Sequence, residues 1–137
     1  MLLEVIAAIA VVAVGLTAFA SGIPVASMAV SEGARLSTAT FLAAERMEAV
    51  RGIGWRSGSV LHDFGLAFPD ESSLPTPYAA YSRQVRIADC GVPPGCDAVT
   101  SPLLRQVTVT VAYRPVTASG MGASDKAVSL TTLIAER

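Results

Sequence analysis

The chain begins with a long apolar run. Between Met1 and Val30 the only charged side chain is that of Glu4. About 20 apolar residues in helical conformation cross the hydrocarbon core of a bilayer. The run therefore predicts a helix of membrane-spanning length over residues 1–30.

The pattern becomes amphipathic after Val30. The predicted apolar stripe consists of Leu36, Thr40, Ala43, Met47 and Val50, and the predicted polar faces of Glu32, Arg35, Glu45, Glu48 and Arg51. Spacings of four and three residues place the stripe on one side of a helix. Glycine is common just past a helix C-terminus, so Gly52 and Gly54 predict an end near residue 51. A helix of this extent is on the order of 75 Å long.

The C-terminal half alternates between apolar and polar residues with the period of two that is typical of half-buried strands. The predicted strands are Tyr81–Ala88, Leu104–Tyr113 and Ala127–Ala135. The predicted fold class is α+β: a long N-terminal α-helix packed by a three-stranded antiparallel β-sheet. In this interpretation residues 1–30 are a transmembrane or filament-core helix. Residues 31–137 form a head that includes an irregular loop over residues 52–77.

Composition supports a membrane-associated chain and excludes some partners. Of 137 residues, 52% are hydrophobic and 15% are charged, against about 25% charged in ordinary globular chains. Lys and Arg number 10 and Asp and Glu 11, so no basic surface predicts nucleic-acid binding. No motif indicates an enzyme, a cofactor or a metal site. His62 beside Asp63 is interpreted as a solvated pair, and Trp55 as a packing anchor.

The two cysteines flank a turn-rich segment, Gly91 to Gly95, that can bring their sulfur atoms together. A structural zinc usually takes four ligands, and only His62 remains as a further candidate. The spacing therefore predicts a Cys90–Cys96 disulfide in an exported protein. The alternative is a pair of buried free thiols.

Glu4 distinguishes the apolar run from two simpler kinds of segment. A cleaved signal peptide has a basic start and an apolar stretch of about 7–15 residues, and the run has neither. A plain single-pass anchor gains nothing from a carboxylate, which is costly in hydrocarbon without a partner. The nearest available cation is an α-amino group at the start of the same or a neighbouring helix, as at Met1. This pairing indicates assembly.

The segment Leu2-Leu3-Glu4-Val5, followed by the apolar residues 6–16, resembles the N-terminal motif of type IV pilins and type II secretion pseudopilins. In that family a prepilin peptidase cleaves before a residue that is usually Phe or Met, and the new amino group is methylated. A glutamate follows at the fifth mature position, and Glu4 matches it. The count differs by one, so either the first mature residue is missing from this sequence or Met1 stands in a shifted register. Weaker similarity to minor pilins and I-type pseudopilins extends over residues 42–48, 105–111 and 128–134.

The resemblance implies a structural subunit that assembles through its N-terminal helix into a homo-oligomeric helical filament. Its implied partners are an assembly machine in the bacterial inner membrane and the prepilin peptidase. Its implied location is that membrane before assembly and a pilus, or a periplasmic pseudopilus, afterwards. Major pilin, minor pilin and pseudopilin remain open. A monomeric membrane-tethered binding module is the alternative from another class.

Three residues interrupt the apolar run and predict a helix break. Gly15, Gly22 and Pro24 lie within it, and proline removes a helix hydrogen bond while its ring clashes with the preceding turn. We expect a kink or a locally unwound stretch between Gly15 and Pro24. The alternatives are an ordinary proline kink and, as the resemblance implies, a stretch that extends when the subunit leaves the membrane.

Overall fold

The computed structural model describes residues 1–53, 68–93, 95–97, 99–115 and 124–135. Helix α1 (Leu2–Ile53) is followed by strands β1 (Tyr81–Asp89), β2 (Leu104–Tyr113) and β3 (Lys126–Ala135). The predicted α+β class is confirmed, and each predicted strand agrees with the structure to within one residue. The acidic Glu4 in the first turn and the basic Arg51 in the last both complement the helix dipole.

Helical conformation continues through Gly15, Gly22 and Pro24, so the structure shows no unwinding at these residues. Proline at residue 24 removes only one amide donor from the helix. Nearby hydroxyls add bonds to backbone carbonyls: Ser21 Oγ donates to the Ala18 oxygen at 2.8 Å, and Ser27 Oγ to the Pro24 oxygen at 2.8 Å. The predicted kink stays a prediction.

The sheet is an antiparallel meander in the order β1-β2-β3. Val109 at the centre of β2 lies opposite Val85 on β1 and Leu130 on β3. Because side chains alternate across a strand, this register gathers the apolar residues of all three strands on one face. Helix α1 packs on that face and contacts β2 and β3 most extensively.

The core lies between the sheet and the second half of the helix. Its buried members are Ala39, Leu42, Ala43, Met47, Val50, Phe68, Leu74, Val85, Val107, Val109, Val111 and Tyr113. Val128, Leu130 and Ile134 on β3 are half-buried against this cluster. The predicted inward faces of all three strands are thus confirmed.

The predicted helix stripe is correct in Ala43, Met47 and Val50 and wrong in Leu36 and Thr40, which are exposed. The side of the helix that faces the sheet follows Ala39, Leu42, Ala43, Met47 and Val50. With a turn of about 100° per residue, Thr40 lies beyond Met47 at one edge of that side. Leu36 points in nearly the same direction as Ala43 and Met47, but it lies about two turns before Ala43, nearer the projecting half of the helix, and is 49% exposed.

Candidate functional site

The first half of α1 projects from the head with its side chains exposed on every side. Each residue from Met1 to Ser31 is exposed, including Leu3 at 83% and Phe19 at 71%. By length and composition this helix could cross a membrane, although a signal sequence near an N-terminus has the same properties. The apolar surface is far larger than the few hundred Å² that a soluble monomer usually exposes in one patch.

Glu4 lies within this apolar surface, one turn into the helix. Its side chain is exposed, and within the described part of the chain no cation pairs with it. Val5 donates its backbone N–H to the Met1 carbonyl at 3.2 Å, so helical bonding begins at the first residue. The structure places Met1 and Glu4 on the same turn, and it leaves the carboxylate available to a group from outside.

Small residues shape the surface of the projecting helix. A shallow apolar notch is lined by Ala8, Ile9, Val12, Ala13 and Leu16. A Cβ atom added at Gly15 or Gly22 would meet nothing within 4 Å. Glycine costs about 1 kcal/mol relative to alanine inside a helix, and no contact among the described residues accounts for that cost.

Polar contacts join the helix to the base of the head, where the projecting half begins. Tyr113 donates its hydroxyl to Glu32 at 3.2 Å, and Lys126 Nζ lies 2.7 Å from the same carboxylate oxygen. Arg35 donates to the Arg114 carbonyl. The hydrogen bond to Glu32 raises the pKa of Lys126, and burial raises that of Tyr113. Glu32 and Arg35, predicted for a polar face, thus lie between the helix and the sheet.

A second cluster, centred on Arg83, joins the helix to β1 and to the segment before it. Arg83 Nε donates to Glu71 at 2.7 Å, and Arg83 Nη1 donates to the backbone oxygen of Leu42 at 3.3 Å. Arg46 pairs with the same Glu71 carboxylate at 2.9 Å and lies over the ring of Phe68. The hydrogen bond from Arg83 holds the pKa of Glu71 below its usual range. Sequence reasoning missed this cluster, although a charged residue on the inward phase of β1 was a usable signal.

The cysteine loop lies at the opposite end of the sheet from Glu32. Cys90 and Cys96 are bridged, with an S–S distance of 2.08 Å, so the predicted disulfide is confirmed. Both cysteines are buried, and backbone hydrogen bonds link Cys96 with Val99 in both directions. The disulfide cross-links the two ends of the loop between β1 and β2. It lies far from Glu4.

The loop predicted over residues 52–77 is described only in part. Trp55, His62 and Asp63 lie outside the described residues, whereas Phe68 from the same loop is buried in the core. Within the described ranges, no group of histidine, cysteine and acidic side chains is arranged to hold a metal ion. The feature on which a function can be argued is therefore the projecting helix with its single carboxylate.

Comparison with protein-family models, with curated proteins and with solved structures finds no match to this chain.

Proposed function

We propose that this protein is a structural subunit of a type IV pilus-like filament, stored in a membrane and assembled through its N-terminal helix. The observation that carries the proposal is Glu4: a carboxylate without a described partner on the otherwise apolar, exposed first half of a helix whose second half packs in a folded head. The N-terminal sequence motif gives the same interpretation. A secretion pseudopilin is the variant of this function with the same assembly principle.

In this proposal the apolar half of α1 is first surrounded by lipid and later by the helices of other subunits. In the membrane its side chains contact lipid, and about 45 Å of helix matches the thickness of a bilayer with its headgroups. In the filament the same side chains contact helices of other copies. Such a head-to-tail contact does not close on itself and generates a helical fibre.

The glycines of the helix support close approach between copies. Small residues allow two helix backbones to come near each other in an apolar environment. At Gly15 and Gly22 no described contact within the chain explains the absence of a side chain. A neighbouring helix that packs against Gly15 and Gly22 would explain why these positions have no side chain.

Glu4 provides the electrostatic part of assembly. On insertion scales a charged residue costs about 2.5–3.5 kcal/mol at the centre of a membrane helix. Glu4 lies in the first turn, where the cost is smaller, but a plain anchor still gains nothing from it. Paired with the terminal amine of a neighbouring subunit in a filament interior, it is stabilised more than an exposed ion pair is. Removing one partner leaves the other charge buried, at a cost of about 3–5 kcal/mol.

The test is substitution of Glu4. Glu4→Ala and Glu4→Gln are expected to abolish or severely reduce filaments while membrane insertion persists, as measured by microscopy and sedimentation of shed material beside a membrane-fraction blot. Glu48→Gln is the matched control, because Glu48 is an exposed acid of the same helix that pairs only with Arg51 among the described residues. Normal filament yield from Glu4→Ala would falsify the assembly role. It would leave a membrane-tethered head as the better interpretation.

A further inference from the structure

The base of the head contains a shallow polar hollow beside the point where the helix leaves it. Its volume is about 280 Å³, and the residues that line it include Ser72, Ser82, Arg114 and Asp125 together with Tyr81 and Tyr113. These residues lie where β1 begins, β2 ends and β3 is about to begin. The hollow is therefore at the end of the sheet next to Glu32 and Arg35, which contact Tyr113 and Arg114.

The position of the hollow along the helix sets its depth relative to a membrane. Apolar residues continue to Val30, and Glu32 is the next charged residue after Glu4. A helix over residues 2–30 covers about 43 Å, close to the roughly 40–45 Å of a bilayer with its headgroup layers. The base of the head consequently meets the headgroup layer whenever the apolar half of α1 spans the bilayer.

The charges at this base fall into two groups. Lys126 and Glu32 pair with each other at 2.7 Å, and Arg35 Nη1 donates to the Arg114 carbonyl. Arg114 and Asp125 are both exposed, and within the described part of the chain neither side chain has an ion-pair partner. The residues that line the hollow thus include one arginine and one aspartate, together with Ser72 on the segment before β1 and Ser82 on β1.

We propose that this hollow binds the phosphoethanolamine headgroup of a membrane phospholipid while the subunit is stored in the bilayer. The Arg114 guanidinium and the serine hydroxyls donate to the phosphate, and the Asp125 carboxylate accepts from the primary ammonium group. A headgroup with a net negative charge and no ammonium leaves Asp125 facing an anion. A choline headgroup has no N–H to donate, so it loses the charge-assisted hydrogen bond to Asp125.

This proposal rests on membrane storage, as the proposed function does, but not on filament formation. Loss of filaments in Glu4→Ala and loss of a bound lipid in an Arg114 variant are separate measurements on separate variants. Either idea can therefore fail while the other stands.

The experiment uses the full chain in nanodiscs of mixed phosphatidylethanolamine, phosphatidylglycerol and phosphatidylcholine, followed by native mass spectrometry of the lipid that stays bound. Phosphatidylethanolamine is expected to be retained in preference to both other lipids. Arg114→Gln should lower that retention about tenfold, as expected for loss of one hydrogen bond to a charged group. Asp125→Asn should abolish the preference over phosphatidylcholine. Arg51→Gln, at the far end of the head, is the matched control and should change neither result.

Three outcomes overturn the proposal. They are equal retention of phosphatidylethanolamine by wild type and Arg114→Gln, retention of phosphatidylglycerol above phosphatidylethanolamine, and binding of soluble O-phosphoethanolamine by detergent-solubilised protein that retains no lipid. Arg114→Lys keeps the positive charge and should retain more lipid than Arg114→Gln. That comparison separates lost charge from a general disturbance of the base.

Discussion

At the scale of single residues, Arg83 shows how a charge is accommodated beneath the helix. It is the buried charged side chain of the described chain, 7% exposed, and it occupies an inward position of β1 beside Val85. Burial of a charge is costly unless the charge is paired and hydrogen-bonded. Glu71 supplies the carboxylate, and the Leu42 carbonyl supplies a further acceptor from the helix. The cluster therefore connects helix, sheet and loop through one guanidinium.

Replacement of Glu71 by glutamine should destabilise the head by about 2 kcal/mol at pH 7, because Arg83 and Arg46 lose their shared carboxylate. The folded-state pKa of Glu71 is lowered, first by the hydrogen bond from Arg83. The stabilisation is thus complete well above the usual glutamate pKa of about 4.3 and is lost as the pH falls below it. Thermal unfolding of the full chain in detergent at pH 7 and pH 3 measures the effect.

The difference between wild type and Glu71→Gln is expected to be smaller at pH 3 than at pH 7. Glu48→Gln serves as the control, because the exposed Glu48–Arg51 pair contributes at most about 1 kcal/mol. A difference that is the same at both pH values would show that the carboxylate charge of Glu71 does not stabilise the fold.

At the scale of elements, one helix carries two different surfaces in succession. Up to Ser31 its side chains are exposed, and beyond that point one side is covered by the sheet. The covered side begins with the polar Glu32 and Arg35 and continues with apolar Ala39 and Leu42. The sheet therefore determines which residues of an amphipathic pattern become core.

Leu42→Ala should cost about 2–5 kcal/mol in the free energy of unfolding, because Leu42 is 2% exposed and its loss leaves a cavity. Leu36→Ala, the same substitution six residues earlier, should change stability by no more than about 0.5 kcal/mol, because Leu36 is 49% exposed. Denaturant unfolding of both variants measures the contrast. Equal losses would mean that the sheet covers a different side of the helix.

The disulfide belongs to the connection between β1 and β2. A Cys90→Ala, Cys96→Ala double variant should lose about 2 kcal/mol, as expected for a short closed loop. Denaturant unfolding measures this loss in the double variant. The same measurement on the wild type with and without reductant provides the comparison. Intact-mass analysis after alkylation without reductant tests the bond itself, and labelling of both thiols would contradict it.

At the scale of the whole molecule, the core of the head makes no use of the projecting half of the helix among the described residues. The buried core lies between the sheet and residues 39–50 of the helix, with Phe68 and Leu74 at its margin. Among the described residues, the polar contacts from the helix to the sheet begin at Glu32. The head therefore contains its own core without the apolar half of α1.

Deletion of Met1 to Met28 is expected to give a soluble, monomeric head with its helix and strand signals retained. The membrane-length apolar segment is removed, and every residue of the buried cluster stays in place. Size-exclusion chromatography and circular dichroism test the expectation. Aggregation of the fragment, or loss of its strand signal, would place the boundary of the head elsewhere.

The sequence by itself determined the elements, because their signals are local. A run of apolar residues and two periodicities, near 3.6 and 2, were enough to place the helix and all three strands. The Cys90–Cys96 bridge was predictable for the same reason, since a short turn-rich segment holds both cysteines. The prediction that Glu4 acts in assembly likewise came from its sequence neighbours alone.

Only the tertiary structure decided which side of the helix faces the sheet. Leu36 fits an apolar stripe by spacing, yet it stays exposed, whereas Glu32 and Arg35 make polar contacts with the end of the sheet. The Arg83–Glu71 cluster and the hollow beside Arg114 likewise unite residues that are far apart in the chain. Such contacts depend on the register and placement of the sheet on the helix, and periodicity along one segment carries no information about either.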